Sequence, residues 1–391
     1  MKEFTDWFCI KNRNSFMIDP KVNFEDSKFY FGRKEIEDRI IKQIRTGFIT
    51  LGAPKMLLIG PYGSGKTQTL YHIDWLLKNG KISSLLKPCT VHLDLEMGTK
   101  SSCAILHQQM LEALGKNKVS FWINQLFTSV KDIEPKLKEL FNDDNMVQAA
   151  INLRYAGGGG EAQLLAWRWF CGHKMTNADL GKLNITRSLS ESGGAVDLVN
   201  ALVGIGRLAE ISGEKIIFFI DEAEKVNDVT NADAISSIRS YIRKLSEPTS
   251  SSIGFILSVT AFTRQEIGEI FARPDIMTRI GEHNYIEIPV LPSIEDVRTF
   301  LKEMLNHFVD QEKAAEIIKK EKLDTDADIF PFKHDSLEQL CEYASQDITK
   351  TLPRLIIRAV NECAVLAWDK ESRTIDQDSI EEIGSMIFVG A

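Results

Sequence analysis

Short apolar runs alternate with stretches of helical period along most of this chain. Met56 to Ile59 is apolar throughout and stops at Gly60, the mark of a strand buried on both faces. A helix is predicted next, from Lys66 to about Lys78. Thr90 to Leu95 alternates apolar and polar residues and predicts a second strand, followed by a helix from Ala104 to about Leu114. Val196 to Ile211 reads as an amphipathic helix. Lys215 to Ile220 is then a strongly apolar strand closed by Asp221 and Glu222. A helix over Ala232 to Leu245, a strand over Ile253 to Val259 and a short strand over Ile286 to Pro289 complete the alternation. Beyond Pro292 the period is helical only: Ile294 to Phe308, Lys313 to Lys320, Ser336 to Ala344, Leu352 to Trp368 and Ser379 to Ile387. Strands alternating with helices predict an α/β fold with a mostly parallel sheet, and the helical tail predicts a separate all-α domain.

Two stretches are less regular. Residues 1–50 are mixed, with Ile36, Ile40, Ile41 and Ile44 at helical spacing after Phe29-Tyr30-Phe31-Gly32-Arg33. The middle, about 116–195, is helix-rich, with Trp122, Ile123, Leu126, Phe127 and Val130 on one face. It also holds Gly157 to Gly160, four residues with no packing side chains, which predict a loop.

Composition narrows the class. Hydrophobic residues make up 43% and charged residues 26%, which excludes wholesale disorder and fibrous readings. The formal net charge of −8 argues against a generally basic nucleic-acid binder. The six cysteines form no CxxC pair and fit no zinc or disulfide framework, so free thiols in a reducing cytoplasm are expected. No apolar run approaches the ~20 residues of a membrane helix, and the N-terminal residues lack the apolar stretch of a signal peptide.

The chemistry concentrates at Gly60-Pro61-Tyr62-Gly63-Ser64-Gly65-Lys66-Thr67. This satisfies GxxxxGK[ST] between an apolar strand and a helix, the context of a phosphate-binding P-loop. Its glycines allow a tight turn whose backbone N–H groups face phosphates, and the helix N-terminus adds a positive end. Lys66 is expected to reach the β- and γ-phosphates of ATP, Thr67 to hold Mg²⁺, and Gln68 to complete the binding segment. The strand ending in Asp221-Glu222 is the matching acidic element. Asp221 would support the magnesium, and Glu222 would act as general base on the attacking water.

This order of motifs resembles the AAA+ ATPases, specifically the ORC/Cdc6–STAND-like branch. The resemblance implies a parallel sheet sandwiched by helices, with a C-terminal all-α lid. It implies that Gly32 and Arg33, in a box before the P-loop, lie beside the adenine. Thr260, at the end of Ile256-Leu257-Ser258-Val259-Thr260, falls at the sensor 1 position near the γ-phosphate or the water. Arg279 in Asp275-Ile276-Met277-Thr278-Arg279 resembles an arginine finger acting across a subunit boundary, with Arg273 as second choice. Arg354 in Leu352-Pro353-Arg354 resembles sensor 2 of the lid, with Arg358 a weaker candidate.

Two departures from that pattern matter. Lys66 and Asp221 stand farther apart than a compact core of the family needs, so a helical insertion is expected within about 116–195. Little chain follows Arg354, which leaves no room for the winged helix of the initiator branch. The expected domains are therefore 1–291, nucleotide-binding, and 292–391, a helical lid. Trp167-Arg168-Trp169-Phe170-Cys171-Gly172-His173, leading into Leu180 to Ile185, resembles ATP-binding proteins of BREX-type phage-defence loci. The function expected is a cytoplasmic Mg-ATP-hydrolysing switch or motor. It would form a homo-oligomer with a trans arginine finger, within a multi-protein system that the resemblance suggests is antiviral defence. An ATP-driven assembly switch with little turnover, or an initiator- or loader-type ATPase, is the alternative; the charge does not support DNA as partner.

Overall fold

The computed structural model describes residues 3–50, 52–154, 160–192 and 194–389. They form two compact units. The first comprises Met1–Asp38, Gly60–Trp75 and Ile288–Ala391; the second comprises Arg39–Ile59 and Leu76–Glu287.

The second unit is built on a five-stranded sheet. Its strands are β1 (Lys55–Gly60), β2 (Lys87–Asp94), β3 (Glu214–Asp221), β4 (Ile253–Thr260) and β5 (Tyr285–Glu287), in the order β2-β3-β4-β1-β5. The β1–β5, β2–β3 and β3–β4 pairs are parallel. Every residue of β1 is buried, and so are β3 after Glu214 and β4 before Thr260. Such continuous apolar strands are stable only with both faces covered, which is why the sequence shows them as runs. β2 is one of the two edge strands, and only Val91 in it is buried. It starts at Lys87, three residues before the expected start, because its first residues are held by backbone pairing to β3 (Lys87 opposite Glu214) and not by burial. Pro88 lies near the start of this edge strand, a position where a missing N–H is tolerated.

The described residues of the stretch 116–195 are largely helical. It supplies the helices Lys116–Ser129, Ile133–Phe141, Asp144–Leu153, Glu161–Phe170 and Asn177–Leu183. These share one hydrophobic core with the sheet and with the helix Ala195–Ile211. Trp122, Ile123, Leu126, Trp169 and Phe170 are all buried there, so the aromatic cluster of this stretch is core. Side chains cap several of these helices: Asp143 accepts from the Met146 N–H and Thr176 from the Asp179 N–H. Each such cap contributes about 1 kcal/mol. Gly157 to Gly159 of the glycine run lie outside the described residues, and Gly160 opens the helix Glu161–Phe170.

His107 ties three helices of this core together. Its Nε2–H donates to the Phe170 carbonyl at 2.8 Å, and its Nδ1 lies 3.0 Å from the Tyr241 hydroxyl. Burial lowers its pKa from 6.5 to about 4, so the ring is neutral in the folded chain. In the unfolded chain it takes up a proton near its ordinary value. Stability should therefore fall as pH drops from about 6.5 to about 4, by a total on the order of 3 kcal/mol. Urea midpoints measured between pH 7.5 and pH 4.5 should show this slope, and His107→Gln should flatten it; an equal slope in both proteins would assign the acid sensitivity to other groups.

The first unit has its own core, formed by the helices Ile294–Phe308, Gln311–Glu321, His334–Ser345, Pro353–Asp369 and Gln377–Gly384. The N-terminal residues belong to it. Phe8 and Phe16 are fully buried, the Trp7 indole donates to the Ser372 carbonyl at 2.8 Å, and the Arg373 guanidinium donates to the Trp7 carbonyl at 2.7 Å. Their scattered spacing gave no period to read. Chain-distant partners, not local repetition, decide their place. No helix among the described residues is long and apolar enough to cross a membrane.

Candidate nucleotide site

In the first unit the P-loop leaves β1 at Gly60 and enters the helix Lys66–Lys78, which starts where expected. Gly63 and Gly65 hold φ of 80° and 96°, a left-handed conformation that glycine adopts without steric cost. A Cβ on Gly65 would lie 3.2 Å from the Arg33 guanidinium. The Lys66 ammonium is buried and donates to the carbonyls of Gly60 and Pro61 at 2.9 and 3.0 Å. The Ser64 hydroxyl is buried with no hydrogen-bond partner. An orphaned donor on a loop of this shape is what a phosphate oxygen would satisfy.

Arg33 reaches this loop. Its guanidinium donates to the Ser64 carbonyl at 2.5 Å and to the Pro289 carbonyl at 2.8 Å. It is buried, burial lowers its pKa, and among the described residues no carboxylate pairs with it. A buried cation without a counter-charge is costly unless an anion completes it. The residue predicted for the nucleotide thus sits against the P-loop with its charge uncompensated. The Gly32 N–H beside it donates to the Glu303 carboxylate at 2.6 Å, which anchors the turn to the helix Ile294–Phe308.

Gln68 ties the first helical turn to the preceding segment. Its amide N–H groups donate to the carbonyls of Asp26 and Phe29 at 2.8 and 2.7 Å, while its Oε1 is buried without a partner. Further along the helix, Thr69 meets the Tyr30 hydroxyl at 3.0 Å, and His72 meets the Ser27 carbonyl at 2.8 Å. His72 also hydrogen-bonds Glu37, which, with Lys34, holds that carboxyl down at about 2.

Of Arg354 and Arg358, the structure brings one to the loop. Arg354 donates to the Tyr62 hydroxyl at 2.8 Å, with its guanidinium carbon 5.5 Å from the ring centroid. Arg358 is paired with Glu362 at 2.6 Å on its own helix.

In the second unit, β1, β3 and β4 end on one edge of the parallel sheet, the edge where ligands bind in open α/β folds. Asp221 and Thr260 are the last residues of β3 and β4. Asp221 is buried, and the next residue, Glu222, has φ 55° and ψ 37°. The Glu222 N–H lies 3.1 Å from Asp221 Oδ1 and 3.3 Å from Ser258 Oγ, and the Ser258 hydroxyl donates to the same Asp221 oxygen. Ser258 was missed by sequence reasoning. The available signal was its position two residues before Thr260, hence on the same face of β4. The Glu222 carboxylate pairs with Lys225 at 2.5 Å. Both finger candidates are engaged within their own chain. Arg279 donates to the Asp275 carbonyl at 2.5 Å and lies 4.0 Å from Glu247, and Arg273 pairs with Asp275 at 2.9 Å. Among the described residues no cluster of three or more His, Cys, Asp or Glu could hold a metal.

The Aeropyrum pernix ORC2 protein, solved in ADPNP–ADP complexes, superposes with a TM-score of 0.52 at 12% identity, over 96% of this chain and 72% of that one. The two chains share a fold. Cdc6p from Pyrobaculum aerophilum gives a TM-score of 0.49 at 9% identity over 95% of this chain and 72% of its own. The Aeropyrum pernix ORC1 protein in complex with DNA gives 0.46 at 9% identity, over 92% and 66%. No family model matches the sequence, and no curated protein matches it. At 12% identity the likeness to the ORC2 protein shows the fold alone.

Proposed function

We propose that this chain is a Mg-ATP-dependent AAA+ ATPase acting as an oligomeric switch or motor. The observation that carries the proposal is the loop Gly60–Thr67. Two of its three glycines, Gly63 and Gly65, are left-handed, its lysine is buried, and its buried serine hydroxyl has no partner. A polyphosphate supplies the acceptors that this loop, the helix N-terminus and Arg33 leave open.

The oxygen donors fit magnesium, a hard cation that takes one or two protein oxygens besides phosphate and water. Thr67 and Asp221 are each assigned to it on the chemistry of their own oxygen, hydroxyl and carboxylate. Bound there, the ion would neutralise charge on the phosphates. Lys66 would hold the β- and γ-phosphates, and Glu222 would take a proton from the attacking water. Thr260, on the face of β4 that carries Ser258, would orient that water. Arg354 would leave the Tyr62 hydroxyl for the γ-phosphate and so couple the lid to the nucleotide. Arg279, first, or Arg273 would serve a neighbouring subunit by exchanging its own carboxylate partner for phosphate. Partner proteins of the same system, of the phage-defence type by resemblance, would receive the motion.

The purified chain should bind a fluorescent ATP analogue at micromolar to millimolar concentration and release phosphate from ATP only with magnesium present. Absence of binding at several millimolar nucleotide would rule the reading out.

A further inference from the structure

Ser258 is a polar residue in the otherwise apolar interior of β4, and it is fully buried. Burying a hydroxyl is unfavourable unless it is hydrogen-bonded. This one is used twice. The register Phe219 opposite Ile256 and Ile220 opposite Leu257 brings the next residue of each strand, Asp221 and Ser258, together. The hydroxyl has one hydrogen and two lone pairs, so it can donate and accept at once. It donates to Asp221 Oδ1, and it lies 3.3 Å from the Glu222 N–H as acceptor. The same N–H lies 3.1 Å from Asp221 Oδ1. The three atoms close a small ring at the end of the strand pair.

Two consequences follow for the acids. The Asp221 carboxylate cannot rotate without breaking the Ser258 bond. Glu222 also holds a left-handed backbone, which a residue with a Cβ keeps only when its surroundings fix it. Ser258 and Asp221 fix it through the N–H.

We propose that Ser258 is a positioning residue of the hydrolytic site, whose hydroxyl sets the orientation of the Asp221 carboxylate and the backbone from which Glu222 projects. This rests on the ATPase reading above. A serine that merely satisfies itself in the core would affect stability alone. A positioning serine affects how strongly magnesium tightens nucleotide binding, and it affects kcat more than KM.

The test compares wild type, Ser258→Ala, Ser258→Cys and Ser258→Thr, with Lys66→Ala as the control for the nucleotide reading. Fluorescent-ATP binding is titrated with magnesium, steady-state kinetics are recorded, and thermal unfolding is followed. Loss of a group that orients a metal ligand costs about 10- to 100-fold. Ser258→Ala should therefore raise the magnesium concentration for half-maximal tightening by about 10-fold or more and lower kcat with KM nearly constant. Ser258→Cys, similar in shape but a weak donor, should behave likewise and covers the case in which the alanine variant does not fold. Ser258→Thr should restore both readouts. If Ser258→Ala or Ser258→Cys is folded and both readouts stay within about 2-fold of wild type, while Lys66→Ala loses nucleotide, the positioning role is wrong and the ATPase reading stands. If wild type itself binds no ATP, the ATPase reading fails and this role falls with it.

Discussion

Lys66→Ala is expected to lower ATP turnover by about a hundred- to a thousand-fold, the usual cost of removing one fixed donor to developing phosphate charge. The Lys66 ammonium is buried and held by the carbonyls of Gly60 and Pro61, so it is placed before any ligand arrives. Alanine removes the positive charge and leaves those two carbonyls without this donor. The glycine conformations at 63 and 65 and the helix N-terminus remain, so the variant loop keeps its shape but not its cation. The decisive comparison is ligand-dependent melting. Saturating ATP at about 100 times its Kd should stabilise wild type by about 2.7 kcal/mol, and the variant should show little or no rise in Tm. Full turnover in Lys66→Ala would remove the P-loop from the reaction.

Glu222→Gln should separate binding from chemistry. The amide matches the carboxylate in shape but cannot take a proton from water, so phosphate release should fall by about 10² to 10⁴-fold while ATP affinity is retained. The backbone at Glu222 is set by its own N–H, held by Asp221 and Ser258, and that anchor does not involve the side chain. What the substitution does break is the pair with Lys225, whose two side chains are about 36% and 45% exposed. An exposed pair of this kind contributes at most about 1 kcal/mol, so Tm should move little. Rapid-mix experiments should then show ATP accumulating on the variant. Wild-type phosphate release would show that Glu222 is not the base and would turn attention to Asp221 and Thr260.

Much of the fold was legible because of where the strands lie. β1, β3 and β4 are buried on both faces, so their residues had to be apolar in sequence. The helix Lys66–Lys78 starts where the P-loop pattern places it. The edge strand β2 was read three residues short, because backbone pairing leaves no hydrophobic trace. The short helix Pro274–Ile280, which carries Arg279, has too few turns to show a period. The glycine-rich turn after β1 and the acidic end of β3 were legible from local spacing alone. The contacts of Arg33 with Ser64, Arg354 with Tyr62 and Ser258 with Asp221 join residues far apart in the chain. Spacing carries no information about such meetings.

The sequence by itself determined the buried strands, the longer helices and the glycine-rich loop between β1 and the helix Lys66–Lys78, since each is set by short-range chemistry: apolar runs, helical period, and glycines before a lysine. Only the tertiary structure decided that the N-terminal aromatic residues join the C-terminal helices in one core, and that the aromatic stretch after residue 116 is core of the sheet-bearing unit. It also decided that Arg354 reaches the loop while Arg358 pairs on its own helix. These outcomes depend on which surfaces meet after collapse, where burial rewards any apolar partner of suitable shape whatever its place in the chain.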